Sequence, residues 1–294
     1  MGSATRIPTC AGKTVLVTGA AGTLGQATAI SFAVAGVARL AVIDHVDVLD
    51  TREQALQAAL DAGNPAPDVL ALVVDVCDVA SVEAGVREVS SAWDHVDIFV
   101  NVAASSSKPA IARGDVTGLR DADARWKVWE ANAKGISLMA RALVPLLSRG
   151  SDRTIVNAAT VFSDDLAASA IDSQFSVLAL TQISECLMLD NAHEGLLVYS
   201  VNPNIDLRGR VPAAVGQVMD VRRSDFIVHL TGRRRDWLAG RHVGSVEDLL
   251  ELQARDEDSA GSSPLKAWRP VEMGREVFLL PWTSRRGRVP RSSY

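Results

Sequence analysis

The chain has 294 residues and a formal net charge of −5, from 30 Lys and Arg against 35 Asp and Glu. This balance excludes a general attraction to nucleic acid or to acidic membrane surfaces, so we expect a small-molecule partner and neither nucleic acid nor membrane. The length suits one α/β domain of ordinary size with a large core.

Short apolar runs alternate along the chain with longer helical patterns, as in strand-helix units. Strands are predicted at about 14–18, 39–43, 70–74, 96–100, 153–158, 196–201 and 240–244. Helices are predicted at about 24–35, 51–62, 80–92, 124–147, 170–192, 224–231 and 246–254. Connections of this length need crossover helices, and the strand runs lack the alternation of a strand wet on one face. The pattern predicts an α/β fold: a Rossmann-type, doubly wound parallel sheet in three α/β/α layers.

Residues 1–254 are predicted to form this single domain, and residues 255–294 a polar linker followed by a basic C-terminal tail. The three cysteines include no CxxC pair, and no histidines stand at ligand spacing, so neither a disulfide framework nor a metal site is expected. The N-terminus lacks the apolar core of a signal peptide, which predicts a cytoplasmic protein.

A nucleotide site is predicted in "TVLVTGAAGTLGQATAISFAVAGVARLAVID", which gives a strand, a glycine-bearing turn, a helix and a second strand. Gly19, Gly22 and Gly25 allow a tight turn and let a pyrophosphate approach backbone N–H groups at the helix start. Asp44 follows about 20 residues after Gly25, where a carboxylate accepts from an adenosine ribose and repels a 2′-phosphate. This favours NAD over NADP. The alternative is a glycine turn that serves only strand-helix packing.

The chain resembles the short-chain dehydrogenase/reductase family over roughly residues 12–245. The family's glycine turn appears as "TGAAGTLG" (18–25), its acid-apolar pair as "VVDVCD", and its NNAG as "NVAA" (101–104). "NAKG" (132–135) matches the Asn-x-x-Gly of the fifth helix, and "VNPN" (201–204) stands where the family has Pro-Gly. The segment from "WLAGRHVGSVEDLLEL" onward resembles fungal biosynthetic members of the family.

The resemblance implies an NAD(P)(H) site, with NAD favoured by Asp44. Its residues would be Thr18, Gly19, Gly22, Thr23, Leu24, Gly25, Asp44, Asp75, Val76, Asn101, Ala103, Gln174 and Pro203.

The family's proton-handling pair is missing. In the family a Tyr exchanges the proton and a Lys four residues later lowers its pKa, but these positions fall here on Ala170 and Gln174. The chain has two tyrosines, Tyr199 and Tyr294, and neither is followed by Lys at the fourth place. No YxxxK motif exists anywhere in the sequence.

Three residues are candidates for the remaining catalytic roles. Thr160 occupies the family's Ser position and keeps a hydroxyl. Asn132 matches the residue that holds an active-site water in the family, although a buried structural hydrogen bond is the alternative. Asp165, with Asp164, lies in the loop before the helix, where it could reach substrate; the alternative is that it caps the helix.

Three functions are compatible with these features: an oxidoreductase with an unconventional proton route, a non-redox isomerase, dehydratase or cyclase, and a dinucleotide sensor that catalyses nothing. The coherent nucleotide site favours the oxidoreductase. Residues 204–223, which resemble the family's substrate lid, are rich in apolar side chains and predict a modest-sized apolar metabolite as substrate. The resemblance to fungal members points to specialised metabolism.

The helices predicted at 124–147 and 170–192 are apolar over more than one stripe. One side should pack on the sheet, and the apolar side chains on the rest of the helix surface predict the interface of a homodimer or homotetramer. The alternative is burial of these side chains under the C-terminal tail.

Overall fold

The computed structural model of the protein describes residues 9–102, 126, 130–158, 169–201, 224–238, 240 and 242–243; for 169–178 and 242 it describes the backbone alone. All of these residues belong to one compact unit of the chain. The predicted linker and tail at 255–294 and the predicted helix at 246–254 lie outside them.

A seven-stranded parallel sheet forms the centre, in the order β3-β2-β1-β4-β5-β6-β7. The strands are β1 (Thr14–Thr18), β2 (Arg39–Asp44), β3 (Asp68–Val73), β4 (Ile98–Asn101), β5 (Thr154–Ala158), β6 (Leu197–Val201) and β7 (His242–Val243). The strand order reverses between β1 and β4, which is the switch point where doubly wound folds bind ligands. The predicted fold class is confirmed.

The helices lie close to their predicted positions, with one exception. They are α1 (Thr23–Val34), α2 (Leu49–Asp61), α3 (Val79–Ala92), α4 (Ile136–Leu147), α5 (Ser169–Asp190) and α6 (224–231). The sequence predicted one continuous α-helix over 124–147, but Glu130–Gly135 forms a π-helix before α4 begins. A single wide turn of this kind is often found at functional sites.

The two faces of the sheet bury separate clusters because successive side chains of a strand point to opposite faces. Val15 and Val17 of β1 pack in one cluster, and Leu16 between them packs in the other. The first cluster includes residues of α1, α2 and α6, and the second includes residues of α3, α4 and α5. Apolar burial on both sides of the strands therefore produces the predicted three layers.

Candidate functional site

The turn between β1 and α1 is built so that a side chain is excluded at Gly25. Gly19 has a φ of 67°, in the left-handed region that favours glycine, and its carbonyl oxygen accepts from the Gly22 N–H at 3.0 Å. A Cβ on Gly25 would lie 2.0 Å from the same Gly19 oxygen, whereas one on Gly22 would lie 3.3 Å from it. The first turn of α1 thus packs directly on the backbone of the glycine turn.

The N-terminus of α1 presents backbone donors rather than a side-chain cap. The N-cap residue is Gly22, and the helical bonding begins with the Gln26 N–H donating to the Gly22 oxygen at 2.8 Å. The N–H groups of Thr23, Leu24 and Gly25 belong to the first turn, which has no intrahelical acceptors. Together with the positive end of the helix dipole, these groups fit a pyrophosphate.

Asp44 ends β2 and is bonded to the glycine turn. Its carboxylate is buried, with 8% of the side chain exposed. Oδ2 accepts from the Ala21 N–H at 2.9 Å, and Oδ1 accepts from the His45 N–H at 2.7 Å. The His45 ring lies against the same oxygen, with Nδ1 2.6 Å from Oδ1. The predicted ribose-binding carboxylate is therefore also part of the turn's own hydrogen bonding.

The start of α2 fixes the turn from a second side. The Thr51 hydroxyl donates to the Ala20 carbonyl oxygen at 2.8 Å and accepts from the Gln26 side-chain amide at 3.3 Å. The Ala20 N–H donates to the Ile43 carbonyl oxygen at 3.1 Å. Ile43 of β2 and Thr51 of α2 therefore hold the Ala20 backbone from two sides, and Gln26 of α1 bonds to the Thr51 hydroxyl.

The predicted adenine neighbours follow β3. Asp75 is exposed, and its Oδ1 accepts from the Cys77 N–H at 2.9 Å, while its own N–H donates to the Ser81 hydroxyl. A Cβ on Gly135 would lie 2.7 Å from Cγ2 of Val76. The glycine of the "NAKG" segment therefore packs on Val76, and the structure brings these two predicted segments together.

A row of polar residues crosses the sheet where the central strands end. Thr18, Asn101, Asn157 and Ser200 are register partners in β1, β4, β5 and β6, and all four are buried. The Thr18 hydroxyl donates to Oδ1 of Asn101 at 2.8 Å, and Nδ2 of Asn101 donates to Oδ1 of Asn157 at 3.4 Å.

The row continues into α5, because Nδ2 of Asn157 donates to the Ser184 hydroxyl at 2.9 Å. Ser184 in turn donates to the Leu180 carbonyl oxygen at 2.6 Å. Thr18 and Asn101, which are predicted to bind the cofactor, are thus also hydrogen-bonded to each other within the sheet. Asn157 and Ser184 were missed by sequence reasoning. The available signal for Asn157 was a polar residue near the end of an otherwise apolar strand run, and Ser184, within α5, had none.

Asn132 lies in the π-helix and is buried, with 8% of its surface exposed. Nearby, the Lys134 ammonium donates to Oε1 of Glu130 at 2.8 Å, and this hydrogen bond raises the pKa of Lys134. Burial first, and then the carboxylates of Asp75 and Glu130, raise the pKa of the Cys77 thiol. The wide turn that contains Asn132 packs on the segment that follows β3 through Gly135.

Several predicted residues lie outside the part that is described: Ala103, Thr160, Asp165 and Pro203. The backbone at Ala170 and Gln174 is helical within α5, and their side chains are not described. Their roles stay predictions.

Tyr199 cannot replace the missing acid. It is almost completely buried in β6, and its hydroxyl donates to the Arg235 carbonyl oxygen at 3.1 Å. Burial raises the pKa of Tyr199 above its ordinary value. Its side chain packs in the cluster that includes residues of α1, α2 and α6. It is therefore a core residue that keeps its proton.

Across the described ranges, no group of three or more His, Cys, Asp or Glu side chains could hold a metal ion. None of the helices in those ranges has the length and apolar character needed to cross a membrane.

The sequence model of the family described as short chain dehydrogenase matches residues 13–206. The chain belongs to the short-chain dehydrogenase family. It is 34% identical over 264 residues to the short chain dehydrogenase citE of Monascus ruber, which covers 87% of this chain and 88% of the relative. It is 31% identical over 261 residues to the short chain dehydrogenase andI of Emericella variicolor, covering 87% and 88%. The predicted family and the predicted similarity to fungal members are confirmed.

Solved structures of short-chain dehydrogenases share the fold. The RhlG/NADP active-site complex of Pseudomonas aeruginosa gives a TM-score of 0.59 at 19% identity, over 80% of this chain and 95% of that one. Carveol dehydrogenase from Mycobacterium avium in complex with NAD gives 0.60 at 17% identity, over 83% and 99%. At these identities the likeness establishes the fold alone.

Proposed function

We propose that this short-chain dehydrogenase is an NAD(P)(H)-dependent oxidoreductase that acts on a modest-sized apolar metabolite of a specialised biosynthetic pathway. The observation that carries the proposal is the turn between β1 and α1, where Gly25 packs on the Gly19 carbonyl beneath an uncapped helix N-terminus. Strand-helix packing alone accounts for Gly25. It does not account for a helix start without a side-chain cap that adjoins a buried carboxylate.

The residues around this turn fit a dinucleotide. The first-turn N–H groups of α1 would bind the pyrophosphate, and Asp44 would accept from the ribose. Asp75 and Val76 would lie at the adenine, and Asn101 and Asn132 on the side of the nicotinamide. When bound, the nicotinamide supplies or accepts a hydride. NAD is the favoured dinucleotide, because the Asp44 carboxylate repels a 2′-phosphate. The dinucleotide class is supported by the two solved structures of similar fold described above, one in complex with NADP and the other with NAD.

The proton follows an unconventional route in this proposal. Ala170 and Gln174 offer no acid, and Tyr199 is held in the core. A positioned general acid contributes about 10²–10⁴-fold to rate, so its loss slows carbonyl reduction without preventing every hydride transfer. Thr160, Asn132 and Asp165 are the candidates to orient the substrate oxygen or a water. A substrate that is already electrophilic, such as an iminium, would need the least help.

A second candidate function rests on the same missing pair. A non-redox isomerase, dehydratase or cyclase would use the fold to orient a substrate and would not need Tyr or Lys. A dinucleotide sensor without catalysis is the third possibility. The specialised-metabolite setting is inferred from the fungal short chain dehydrogenases that the chain resembles.

We further propose a cytoplasmic homodimer or homotetramer. Trp126, in the segment before the π-helix, is 64% exposed, and Leu189, in α5, is 54% exposed. The exposure of these two large apolar side chains, on the segments predicted to carry the interface, supports assembly through them.

The test adds NAD(H) and NADP(H) separately to pure protein, and measures binding by calorimetry and then absorbance at the nicotinamide band with candidate substrates. Binding with an absorbance change on turnover supports the oxidoreductase. Turnover without an absorbance change supports the isomerase group, and binding without turnover supports the sensor. Failure of both dinucleotides to bind refutes the proposal.

A further inference from the structure

The large apolar side chains that the fold exposes are concentrated near one edge of the sheet. Seven such side chains are exposed in the described ranges, and five of them lie between residues 46 and 79: Val46, Leu49, Leu60, Val73 and Val79. These residues belong to or adjoin α2, β3 and α3, and β3 is the outermost strand on that side. Apolar side chains exposed together in this way mark a contact with another molecule.

The backbone of β3 presents unpaired hydrogen-bonding groups along the same edge. The N–H groups of Asp68 and Val74 both donate towards β2, at 2.9 Å and 2.7 Å, so the even-numbered residues of this segment face β2. The backbone groups of alternate residues point to the opposite edge of a strand. Val69, Ala71 and Val73 therefore direct their N–H and C=O groups outwards, where no strand pairs with them in the described part of the chain.

The strand lacks the usual protection of an exposed edge. Proteins blunt such edges with a lysine, a proline, a bulge or a very short strand. β3 has six residues, and from Val69 to Val73 it contains neither a charged residue nor a proline. Its one charged residue, Asp68, stands at the start of the strand and accepts from Nε1 of Trp93 at 2.9 Å. The edge of β3 is therefore open to pairing with a further strand.

We propose that β3 pairs with β3 of a second copy of this chain, antiparallel about a two-fold axis at Ala71. In this register Ala71 faces Ala71 of the second copy and Val69 faces Val73 of the second copy, so that all three outward-facing residues form hydrogen-bonded pairs, with about six hydrogen bonds. No other two-fold register pairs all three. Val73, which is 61% exposed, is then covered by a β-branched side chain on the same face of the sheet.

The charges around this edge favour a second copy over an unrelated strand. The Asp68 residues of the two copies lie at opposite ends of the paired strands, about 20 Å apart, which is beyond a Debye length at physiological salt. On the α3 side, Leu70 lines an open groove of about 570 Å³ together with Arg87 and Glu88. The axis turns the same groove of the second copy towards it, so a base and an acid meet an acid and a base.

Arg87 is available for such a pair. Its guanidinium is 69% exposed and forms a long ion pair with Glu83 of the same helix, at 4.0 Å. An exposed pair of this kind contributes little, so exchanging it for an acid of the second copy costs little. The β3 edge is thus complementary to itself in backbone, apolar side chains and charge.

This surface differs from the one that carries Trp126 and Leu189. β3 is the first strand of the sheet, whereas α5, which carries Leu189, packs on β6, the sixth. A homotetramer with two-fold symmetry needs two different interfaces, and the β3 edge would supply the second. Pairing through β3 does not depend on dinucleotide binding, so failure of either proposal leaves the other standing.

Disulfide cross-linking tests the pairing and its register. The Cα atoms of an antiparallel hydrogen-bonded pair lie about 5.5 Å apart, within disulfide range, so Ala71→Cys should join two copies across the axis. Val73→Cys is the matched control, because it is on the same face and more exposed, but its counterpart in the second copy lies about 14 Å away. Both are made in a Cys77→Ala/Cys186→Ser background, which leaves only the buried Cys10.

The full chain without dinucleotide is oxidised with copper phenanthroline at micromolar concentration, and the covalent dimer is followed by non-reducing electrophoresis. We expect Ala71→Cys to form this dimer at least about tenfold faster than Val73→Cys. The double variant Val69→Cys/Val73→Cys should cross-link as fast as Ala71→Cys, since these two positions face each other. Adding Leu189→Lys to Ala71→Cys should leave the rate unchanged, because Leu189 belongs to the other surface.

Sedimentation velocity gives a second measurement. Val73→Lys places a charge on the edge, as protected edge strands do, and should weaken self-association through β3 at least about tenfold. Equal or faster cross-linking of Val73→Cys, or no covalent dimer of Ala71→Cys while circular dichroism shows a folded protein, would overturn the pairing and leave the β3 edge free for a different partner.

Discussion

Replacing Gly25 with alanine tests the central claim about the glycine turn. The new Cβ would lie 2.0 Å from the Gly19 carbonyl oxygen, and ordinary contact begins at 3.4 Å, so α1 would have to move away by about 1.4 Å. Overpacking of this kind costs about 1–3 kcal/mol, and the obstacle here is backbone rather than a flexible side chain. We therefore expect Gly25→Ala to lower the free energy of unfolding by about 3 kcal/mol, the upper end of this range.

Gly22→Ala is the matched control, because its Cβ would lie 3.3 Å from the same oxygen. Exchanging glycine for alanine at an N-cap costs about 1 kcal/mol or less. The assay is urea unfolding followed by circular dichroism, with a thermal scan in which a loss of 3 kcal/mol lowers Tm by about 6 °C or more. Calorimetry of the folded variant should also show weaker NADH binding, because the first-turn N–H groups move with the helix. If Gly25→Ala and Gly22→Ala unfold at the same temperature, the packing argument is refuted.

Three further predictions follow from other parts of the molecule. The double variant Ala170→Tyr/Gln174→Lys should reduce simple ketones with NADH at least about 10²-fold faster than Ala170→Tyr alone, measured at the nicotinamide absorbance band; equal rates would mean that the register of α5 is misassigned. Asn157→Leu breaks the buried polar row and should lower the free energy of unfolding by about 1–3 kcal/mol. Asn157→Leu/Ser184→Ala should restore part of this loss, since the second change removes the buried hydroxyl oxygen that no longer accepts from Asn157. Burial raises the pKa of the Cys10 thiol to about 11 from 9.0. The unfolded chain therefore releases this proton first, and stability should fall between pH 9 and 11 more steeply in wild type than in Cys10→Ala; parallel curves would contradict this.

Much of the fold could be predicted because its signals are local. Buried parallel strands appear as short apolar runs, and crossover helices fill the spaces between them, so the element order fixes the topology within narrow limits. The glycine turn is also local, with strand, turn and helix contiguous from Thr14 to Val34. The π-helix at Glu130–Gly135 was missed, because a wide turn has no side-chain pattern that separates it from an α-helix.

The parts of the site that escaped prediction depend on contacts between distant segments. Asn157 and Ser184 stand within apolar runs, and their meaning appears only when the strand register places Asn101 beside Asn157. Likewise, the sequence shows that His45 follows Asp44 but not that the ring turns back onto the carboxylate. Register and side-chain direction come from tertiary packing, which a single sequence does not reveal.

The anchoring of the glycine turn by Asp44 and Thr51 has a consequence for the energetics of ligand capture. Because these two side chains immobilise the Ala20–Ala21 backbone in the free protein, a ligand arriving there has little loop entropy left to overcome. The backbone of these residues should therefore change little when the ligand binds, and so should the rates of their amide hydrogen exchange. A variant of Asp44 or Thr51 that lacks this hydrogen bond should bind the ligand more weakly. The backbone at Ala20 and Ala21 would gain conformational entropy in the free protein, and binding would have to remove it, although neither residue was changed.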